Sequence, residues 1–168
     1  APVVLCPAMH TEMWEHPAVQ DNIKILRERG VAIVEPEDGI LAGGDVGKGR
    51  LAEVESILSS VERVLTKKDL GSLKILITAG GTREPIDPVR YITNKSSGKQ
   101  GYALAKAAYM RGADVTLVTS MPEHAPHGVK VLCAQTAKDM EDVVMENQEG
   151  FDVIIMAAAI ADFRPAEV

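Results

Sequence analysis

The chain has few of the features that mark several protein classes. Its 168 residues include only two cysteines, Cys6 and Cys133, which form neither a CxxC redox pair nor a zinc-binding spacing and indicate a reducing compartment. No apolar run approaches the roughly 20 residues that a membrane-spanning helix needs. The 18 basic residues are outnumbered by 24 acidic ones and form no stripe, which argues against nucleic-acid binding. We therefore expect a cytoplasmic protein with neither a membrane nor a nucleic-acid partner.

Aromatic residues are also scarce. The chain has two Phe, three Tyr and one Trp, although 46% of its residues are hydrophobic and 25% are charged. These proportions are typical of a folded globular protein. With so few large rings, the core is expected to consist of Ala- and Val-rich helices packed on a sheet.

The second half of the chain alternates strand-like and helix-like segments. Apolar runs typical of buried strands occupy residues 73–78, 114–119, 129–132 and 151–159, and helical patterns occupy 98–112 and 136–147. Thr136 and Asp139 form a possible capping box at the start of the last helix. This order predicts an α/β fold with a parallel sheet, whose ligands would bind at the carboxyl ends of the strands.

The first part of the chain has a less regular pattern. We predict strands at Val3–Leu5 and 31–35, a helix over 17–30 that Gly30 ends, and a helix over 51–65 with one apolar face. The segment Asp38–Arg50 contains five glycines and no apolar periodicity, so we predict a flexible loop there.

The polar run Thr66–Ser72 is the best linker candidate. We accordingly divide the chain into a first domain at 1–66, a linker at 67–72 and a second domain at 73–168. The opening APVVLCPAM begins in an apolar strand with neither an initiator Met nor a polar lead-in. We therefore expect a longer parent protein.

Two glycine-containing turns follow predicted strands or precede predicted helices. In TAGGT (78–82), Gly80 and Gly81 would let backbone N–H groups approach an anion. In SSGKQG (96–101), Ser96 or Ser97 can cap the next helix, whose positive end would face the loop.

Neither turn is diagnostic by itself. The second is not a Walker A motif, because Gln100 follows Lys99 where that motif needs Ser or Thr. Ordinary turns, and a helix N-terminus packed tightly on a strand, remain alternatives for both segments.

The segment REPIDPVRYITN (83–94) lies between these turns. Pro85 and Pro88 stiffen it, while Arg90 and Asn94 supply a cation and an amide. Such a pair suits an acyl-phosphate intermediate, because Arg90 can balance phosphoryl charge and Asn94 can donate to a developing oxyanion. The alternative is a solvated surface loop with an incidental ion pair.

The continuous stretch ITAGGTREPIDPVRYITNKSSGKQGYALA (77–105) resembles the synthetase domain of the bifunctional phosphopantothenoylcysteine decarboxylase/phosphopantothenate–cysteine ligase family of coenzyme A biosynthesis. MAAAIADFRP (156–165) is similar to the nucleotide-binding strand and loop of that family. The resemblance implies a Rossmann-like ligase domain. It also implies that CTP, with Mg²⁺, activates 4'-phosphopantothenate as an acyl-cytidylate, from which the cysteine amine displaces CMP.

The resemblance also implies roles for individual residues. Asn94 and Arg90 would hold the acyl-cytidylate, and no residue of the chain is assigned as a metal ligand. The residues implied to bind CTP or its phosphates are Gly80, Gly81, Thr82, Ser96, Ser97, Gly98, Met156, Ala157, Ala158 and Asp162. A lysine-rich segment of the family would follow ADFRP beyond this chain, so the fragment is expected to be poorly active.

The first part resembles the end of the family's flavodoxin-like decarboxylase domain. PAMHTEMW (7–14) is similar to its substrate-binding motif, which implies that His10 and Met13 bind substrate, and LAGGDVGKGRLAE (41–53) is similar to its substrate-clamping loop. His10 stands where the family pattern has Asn, and Gly43 where many members have a proton-donating Cys. The resemblance implies FMN in the intact parent, none bound by this chain alone, and a homo-oligomer with synthetase dimer and decarboxylase trimer contacts.

Two other functions remain possible on sequence grounds. A nicotinamide-dependent oxidoreductase would need an acidic ribose-binding residue at the end of its second strand, where this chain has Thr119 and Ser120. A non-catalytic fragment that binds nucleotide or forms a subunit interface is the other alternative.

Overall fold

The computed structural model describes residues 1–166, so the last two positions of the predicted 73–168 domain lie outside the described residues. The chain forms two compact units, one over 1–66 and one that begins at Lys67. The predicted linker, 67–72, is hydrogen-bonded within the second unit: Lys68 Nζ donates to Met110 O at 2.8 Å and Leu70 N donates to Arg111 O at 3.1 Å. No helix in the part of the chain described here is long and apolar enough to cross a membrane.

The first unit combines a short parallel strand pair, a hairpin and three helices. Its elements are β1 (Val4–Leu5), α1 (Thr11–Trp14), α2 (Pro17–Glu28), β2 (Ala32–Ile33), β3 (Glu37–Ile40), β4 (Val46–Arg50) and α3 (Val54–Leu65). β1 pairs in parallel with β2. Pro17 occupies the first position of α2, where a backbone N–H would have no partner within the helix. Gly30, at φ +82°, follows the end of α2 as predicted. Trp14 and Ile23 are buried in the core of this unit.

The segment 38–50 is not the flexible loop that its glycines predicted. It forms most of the antiparallel hairpin β3–β4, in which Ile40 lies opposite Val46. A Cβ on Gly47 would collide with the Thr11 side chain, and one on Gly49 with the Met9 carbonyl. These glycines therefore let β4 pack closely on Met9 and Thr11. They also interrupt the apolar periodicity, which is why the sequence pattern predicted a loop here.

Helix α3 forms where it was predicted, but its apolar face is largely uncovered. Val54 is 62% exposed, Leu58 55% and Leu65 71%. The spacing of these residues follows one side of the helix. The pattern therefore predicted the helix correctly but not the burial of its face.

The second unit is built around four parallel strands. Its elements are β5 (Lys74–Ala79), β6 (Arg83–Pro85), β7 (Tyr91–Thr93), α4 (Lys99–Met110), β8 (Asp114–Thr119), β9 (Lys130–Cys133), α5 (Ala137–Asn147) and β10 (Val153–Met156). The sheet order is β10-β5-β8-β9, and every pairing is parallel. The predicted α/β fold with a parallel sheet is confirmed, and the hairpin β6–β7 is added to it.

The strand order creates a crevice at one place in the sheet. The chain adds β8 and β9 on one side of β5 and then returns to add β10 on the other side. The loops after β5 and β10 consequently leave the sheet in a region where parallel α/β proteins bind ligands.

Close packing of α4 on β5 fixes the start of that helix. Leu76, Ile77 and Leu117 are fully buried, and each such side chain contributes about 1.5–3 kcal/mol of burial free energy. A Cβ on Gly101 would lie 2.5 Å from Ala79 Cβ, so only glycine allows this approach of helix to strand. Gly101 therefore fits the alternative explanation given for this segment, a helix N-terminus packed tightly on a strand.

In the second unit, the sequence predicted the N-cap of α5 correctly but not that of α4. The N-cap of α4 is Gly98 in the left-handed region (φ +66°), without a side-chain cap. The prediction that Ser96 or Ser97 caps α4 is wrong, although Ser96 Oγ accepts a hydrogen bond from Gly98 N at 3.3 Å. The capping box of Thr136 and Asp139 on α5 is confirmed, and backbone donation from Thr136 keeps the pKa of Asp139 low.

Candidate functional site

Backbone pairing joins the loops after β5 and β10 beyond the ends of the two strands. Ala159 N donates to Gly80 O at 2.7 Å, and Thr82 N donates to Ala159 O at 3.2 Å. The fully buried Thr82 hydroxyl accepts from Ala161 N at 2.9 Å. Gly80, at φ +87°, makes the turn from which this pairing starts. The two loops are thus held together at the crevice.

Thr78 provides a second connection between the same strands. Its buried Oγ1 accepts hydrogen bonds from Ala157 N and Ala158 N, both at 3.1 Å. Ala157 and Ala158 are candidate nucleotide contacts, but the backbone N–H of each already has a partner here. Any contact from Ala157 or Ala158 to a ligand in this arrangement therefore involves their carbonyl or methyl groups.

The hairpin β6–β7 brings Asn94 to the same place. Asn94 Nδ2 donates to Ile160 O at 2.8 Å, and Thr93 Oγ1 donates to Thr82 O at 2.6 Å. A Cβ on Gly81 would lie 3.0 Å from Asn94 O and 3.2 Å from Thr93 Oγ1. Gly81 therefore lets the end of β7 and the residue after it lie directly against the loop after β5.

These contacts border an open groove of about 440 Å³. Its lining comprises Gly81, Arg83, Tyr91, Thr93, Asn94, Lys95, Ser96, Ser97 and Met121. Four of the predicted site residues, Gly81, Asn94, Ser96 and Ser97, are thus brought together. Arg83, Tyr91 and Lys95 were not singled out from the sequence.

The remaining predicted residues lie around the groove or outside its lining. Gly80 and Thr82 form the loop junction, Gly98 begins α4, and Asp162 is an exposed residue next to the anchored Ala161. Met156 is 60% exposed and lines a separate, mainly apolar cavity of about 400 Å³ with α5 residues, Ile160 and Arg164. Of the predicted set, four residues therefore line the groove, Met156 lines the other cavity, and the rest are in the lining of neither.

Arg90 is engaged at the tip of the hairpin. Its Nε donates to Asp87 Oδ2 at 2.7 Å, and this bond, with backbone donation from Val89 and Arg90, lowers the pKa of Asp87. Arg90 remains 72% exposed and is not in the groove lining. The ion pair that the sequence left open as an alternative is present.

Strand alternation in β6 explains how Arg83 reaches the groove. Its neighbour Glu84 is 2% exposed, and Glu84 Oε1 accepts from Ala137 N at 2.8 Å at the start of α5. Successive side chains of a strand face opposite sides. Arg83 therefore projects away from α5, where its guanidinium lies 5.4 Å from the centre of the Tyr91 ring.

The first unit has a separate candidate site. His10 and Gly43 both line a cavity of about 380 Å³ at the hairpin β3–β4. His10 Nε2 lies 3.0 Å from Asp45 Oδ2, and this hydrogen bond raises the pKa of His10. Met13, also a predicted substrate contact, is 57% exposed and is not among the lining residues. The departures from the family pattern at positions 10 and 43 are thus adjacent in space.

Both parts of the chain match known protein families. Residues 1–66 match the family described as Flavoprotein, and residues 70–168 match the DNA/pantothenate metabolism flavoprotein C-terminal domain. The chain belongs to the latter family. It is similar to the coenzyme A biosynthesis bifunctional protein CoaBC of Mycobacterium tuberculosis, with 51% identity over 99% of this chain and 42% of that protein. CoaBC of Bacillus subtilis is 44% identical over 100% of this chain and 43% of its own length.

Solved structures agree with this family assignment. The crystal structure of the C-terminal domain of CoaBC matches with a TM-score of 0.55 and 46% identity, over 61% of this chain and 53% of that one. The DNA/pantothenate metabolism flavoprotein of Streptococcus pneumoniae matches with a TM-score of 0.52 and 33% identity, over 56% and 42%. The chain spans about two fifths of the length of its curated CoaBC relatives.

Proposed function

We propose that the second unit is part of a CTP-dependent phosphopantothenate–cysteine ligase in coenzyme A biosynthesis, within a longer bifunctional parent. The observation that carries this proposal is the groove in which Asn94, Gly81, Ser96 and Ser97 meet at the carboxyl end of β5. The similarity to CoaBC over 99% of the chain supports it. The strand order also supports the Rossmann-like assignment, since β9-β8-β5-β10 corresponds to four of the six strands of that fold, 3-2-1-4.

The proposed reaction has two steps. A carboxylate oxygen of 4'-phosphopantothenate attacks the α-phosphorus of CTP, forming the acyl-cytidylate as the P–O bond to pyrophosphate breaks. The cysteine amine then attacks the acyl carbon, the C–O bond to CMP breaks, and the amine gives up a proton as the amide forms. Negative charge develops on the acyl oxygen during the second step. A side-chain amide placed beside that oxygen stabilises it, and this is the role proposed for Asn94.

Mg²⁺ is assigned to the triphosphate rather than to a protein site. Among residues 1–166, no group of three or more His, Cys, Asp or Glu side chains is placed to hold a metal ion. Mg²⁺ commonly binds nucleotide phosphates with only one or two carboxylates and several waters. The groove therefore has to supply positioning and neutralising groups for the substrates.

The nicotinamide-dependent alternative has less support. β8 ends at Thr119, and Ser120 follows it. Both residues are buried, and Ser120 Oγ donates to Gly81 O at 2.6 Å. This end of the strand holds the glycine turn in place and offers no carboxylate for a ribose hydroxyl.

For the first unit we propose part of a phosphopantothenoylcysteine decarboxylase. Its support is the cavity that contains His10 and Gly43, together with the match to the Flavoprotein family. Arg50, the one Arg or Lys among the lining residues of this cavity, is already paired with Glu37 and Glu53. This cavity therefore offers no unpaired Arg or Lys to the phosphate of FMN, and no step involving FMN is assigned to its residues. The dimer and trimer contacts of the parent remain proposals from the family resemblance, and its cytoplasmic location remains a proposal from the sequence composition.

The test is product formation by the full-length parent. Incubation with CTP, Mg²⁺ and 4'-phosphopantothenate should release pyrophosphate, and CMP release should then require cysteine. ATP and NADP⁺ serve as ligand controls in calorimetric titrations. Preferential binding of NADP⁺, or pyrophosphate release without 4'-phosphopantothenate, would contradict the proposal.

A further inference from the structure

The cavity of the first unit offers one side chain that exchanges a proton near neutral pH. Among the described residues that line this cavity, only His10 and Arg50 have ionisable side chains. Arg50 is paired with Glu37 at 2.9 Å and with Glu53 at 2.8 Å, and a guanidinium keeps its proton at every physiological pH. A histidine imidazole gains and loses its proton in that range. Within this lining, His10 is therefore the candidate acid or base.

A carboxylate holds one nitrogen of the His10 ring. His10 Nε2 lies 3.0 Å from Asp45 Oδ2, and this hydrogen bond is the main cause of the raised pKa of His10. The other nitrogen, Nδ1, lies 3.9 Å from Glu12 Oε2, which is beyond hydrogen-bond distance. A carboxylate on one side of an imidazole orients the ring and stabilises its protonated form. The proton on Nδ1 is thus available to a bound molecule.

Backbone hydrogen bonds fix both partners of this pair. Leu41 N donates to Asp45 O at 2.8 Å, which closes the turn of the β3–β4 hairpin on which Asp45 lies. Met9 N donates to Gly49 O at 3.0 Å, which ties the residue before His10 to β4. The same hairpin therefore positions the imidazole and the carboxylate.

Gly43 leaves the space that the Asp45 carboxylate needs. A Cβ at position 43 would lie 3.1 Å from Asp45 Oδ2, the oxygen that is hydrogen-bonded to His10. This distance is shorter than an ordinary van der Waals contact, so a side chain there would push the carboxylate aside. Gly43, Asp45 and His10 consequently form one arrangement.

A decarboxylation that ends in a C–H bond consumes one proton in each turnover. The C–C bond to the carboxylate breaks, CO₂ leaves, and the electron pair of that bond stays on the remaining carbon. An acid then supplies the proton with which this carbon forms its new C–H bond. The requirement is the same however the breaking bond is activated.

We propose that His10, oriented by Asp45, donates from Nδ1 the proton that replaces the departing CO₂, and that Gly43 leaves room for this pair. The Nδ1–H bond breaks as the C–H bond forms, and the neutral imidazole then takes a proton from water. The inference rests on the decarboxylase function proposed for the first unit. It adds proton transfer to the substrate contact that the family resemblance implies for His10.

The test compares decarboxylation of 4'-phosphopantothenoylcysteine by the full-length flavin-loaded parent and by its His10→Asn variant. Asn keeps a hydrogen-bonding side chain but has no acidic proton to give. The kcat for product formation, measured by mass spectrometry, should therefore fall by about 10²–10⁴ with little change in KM. A raised KM with an unchanged kcat would mean that His10 only binds substrate, and would overturn the inference.

His16→Asn is the matched control for that variant. His16 is the N-cap of α2 and is outside the cavity lining, and Asn is itself a favoured N-cap residue. The same substitution there should leave both kcat and KM unchanged. Equal losses of kcat in the two variants would overturn the assignment to His10.

The pH dependence of kcat gives a second readout. In the wild type, kcat should fall as the pH rises through the raised pKa of His10, because the proton donor is then lost. Asp45→Asn should move this fall to lower pH. Glu12, which is 92% exposed, should matter less, so Glu12→Gln should move it only slightly. Identical profiles for the wild type and Asp45→Asn overturn the inference, and this comparison decides if His10→Asn does not fold.

Gly43→Ala tests the arrangement without any reaction. The added Cβ should push the Asp45 carboxylate away from His10 and lower the pKa of the imidazole, measured by NMR titration of the full-length parent without substrate. An unchanged pKa would overturn the role assigned to Gly43.

Failure of the proposed function gives a different result from failure of this inference. A wild-type parent that releases no CO₂ from 4'-phosphopantothenoylcysteine would contradict the decarboxylase proposal, and the assignment of His10 would fail with it. Decarboxylation by the wild type that persists at full rate in His10→Asn would overturn the assignment of His10 alone.

Discussion

At the scale of single residues, two threonines and a glutamate organise the site more than its glycines do. Thr78 and Thr82 accept backbone hydrogen bonds from residues 79 and 80 positions later in the chain, and Glu84 accepts one from Ala137 at the start of α5. Local sequence patterns carry no signal for partners so distant. Asn94, Ser96 and Ser97 could be proposed from resemblance to a family, whereas Thr78 and Arg83 became visible only through their contacts.

Replacing Asn94 with Ala should separate the two steps of the proposed ligase. Cytidylate formation, measured as pyrophosphate release, should remain largely intact. Amide formation should slow by about 10²–10³, the usual effect of removing one oxyanion donor. Asn94 also donates to Ile160 O, so Thr93→Ser, which keeps the neighbouring hydroxyl contact to Thr82 O, is a suitable control for loop disturbance. Equal losses in both steps would contradict the assignment.

The His10–Asp45 pair should make His10 titrate above the ordinary histidine value. Asp45→Asn removes the main cause of the raised pKa and should lower it, as measured by NMR titration of the imidazole. Glu12→Gln removes a weaker, longer interaction at 3.9 Å and should have a smaller effect. Since the folded pKa is raised, the stabilisation is fully present below about pH 6.5 and is lost as the pH rises through the raised value. Equal titration in wild type and Asp45→Asn would contradict this pairing.

At the scale of elements, apolar runs predicted the strands of the main sheet, and glycine and proline obscured both hairpins. β5 and β8 are buried runs that local pattern identifies well. The β3–β4 hairpin contains glycines needed for close packing, and the β6–β7 hairpin contains prolines that weaken a strand pattern. Such short strands depend on tertiary contacts, which a single sequence does not display.

Gly101→Ala should destabilise the second unit although alanine is the better helix former. The added Cβ would lie 2.5 Å from Ala79 Cβ and 2.9 Å from Thr78 O, so α4 would have to move away from β5. Overpacking of this kind costs about 1–3 kcal/mol, measurable by denaturant unfolding. Gly150→Ala, which meets nothing within 4 Å, is the matched control and should be nearly neutral. An unchanged free energy of unfolding for Gly101→Ala would show that α4 packs less tightly on β5 than these distances indicate.

Thr78→Val should loosen the connection between β5 and the loop after β10. The substitution keeps the shape but removes the acceptor for Ala157 N and Ala158 N. Leaving such groups without a partner costs about 1–3 kcal/mol. Thr116→Val, at a buried position of β8, provides the comparison. Unfolding free energies and CTP affinity should both fall for Thr78→Val only; equal losses in both variants would indicate a general packing effect.

At the scale of the whole molecule, carboxylates paired with cations or helix ends account for much of the expected acid sensitivity. The pKa of Asp69 is lowered by Arg111, that of Glu35 by Lys48 and Arg27, and that of Asp139 by the cap of α5. A lowered folded pKa stabilises the protein above the unfolded value and loses that contribution as the pH falls. Composition predicted an acidic chain, but not which carboxylates are paired.

The melting temperature should therefore fall as the pH drops below about 4, the ordinary range of these carboxyls. Asp139→Asn should lower stability at neutral pH and make its decline in acid shallower, because the cap would no longer titrate. Glu146→Gln removes a charge from the same helix without touching the cap and serves as the comparison. Identical acid profiles for wild type and Asp139→Asn would contradict this role of the cap.

The position of β10 has a consequence for how the molecule is made. β5 pairs with a strand that begins 79 residues later than itself, at Val153 against Lys74. During synthesis, β5, β8 and β9 can associate first, but one edge of β5 stays open and Thr78 and Thr82 have no backbone donors. The hydrogen-bonded junction between the loops after β5 and β10 is therefore completed only when Ala161 has left the ribosome. Until then, a nascent chain has an unpaired strand edge at the position of the crevice, and chaperone protection would matter most in that interval.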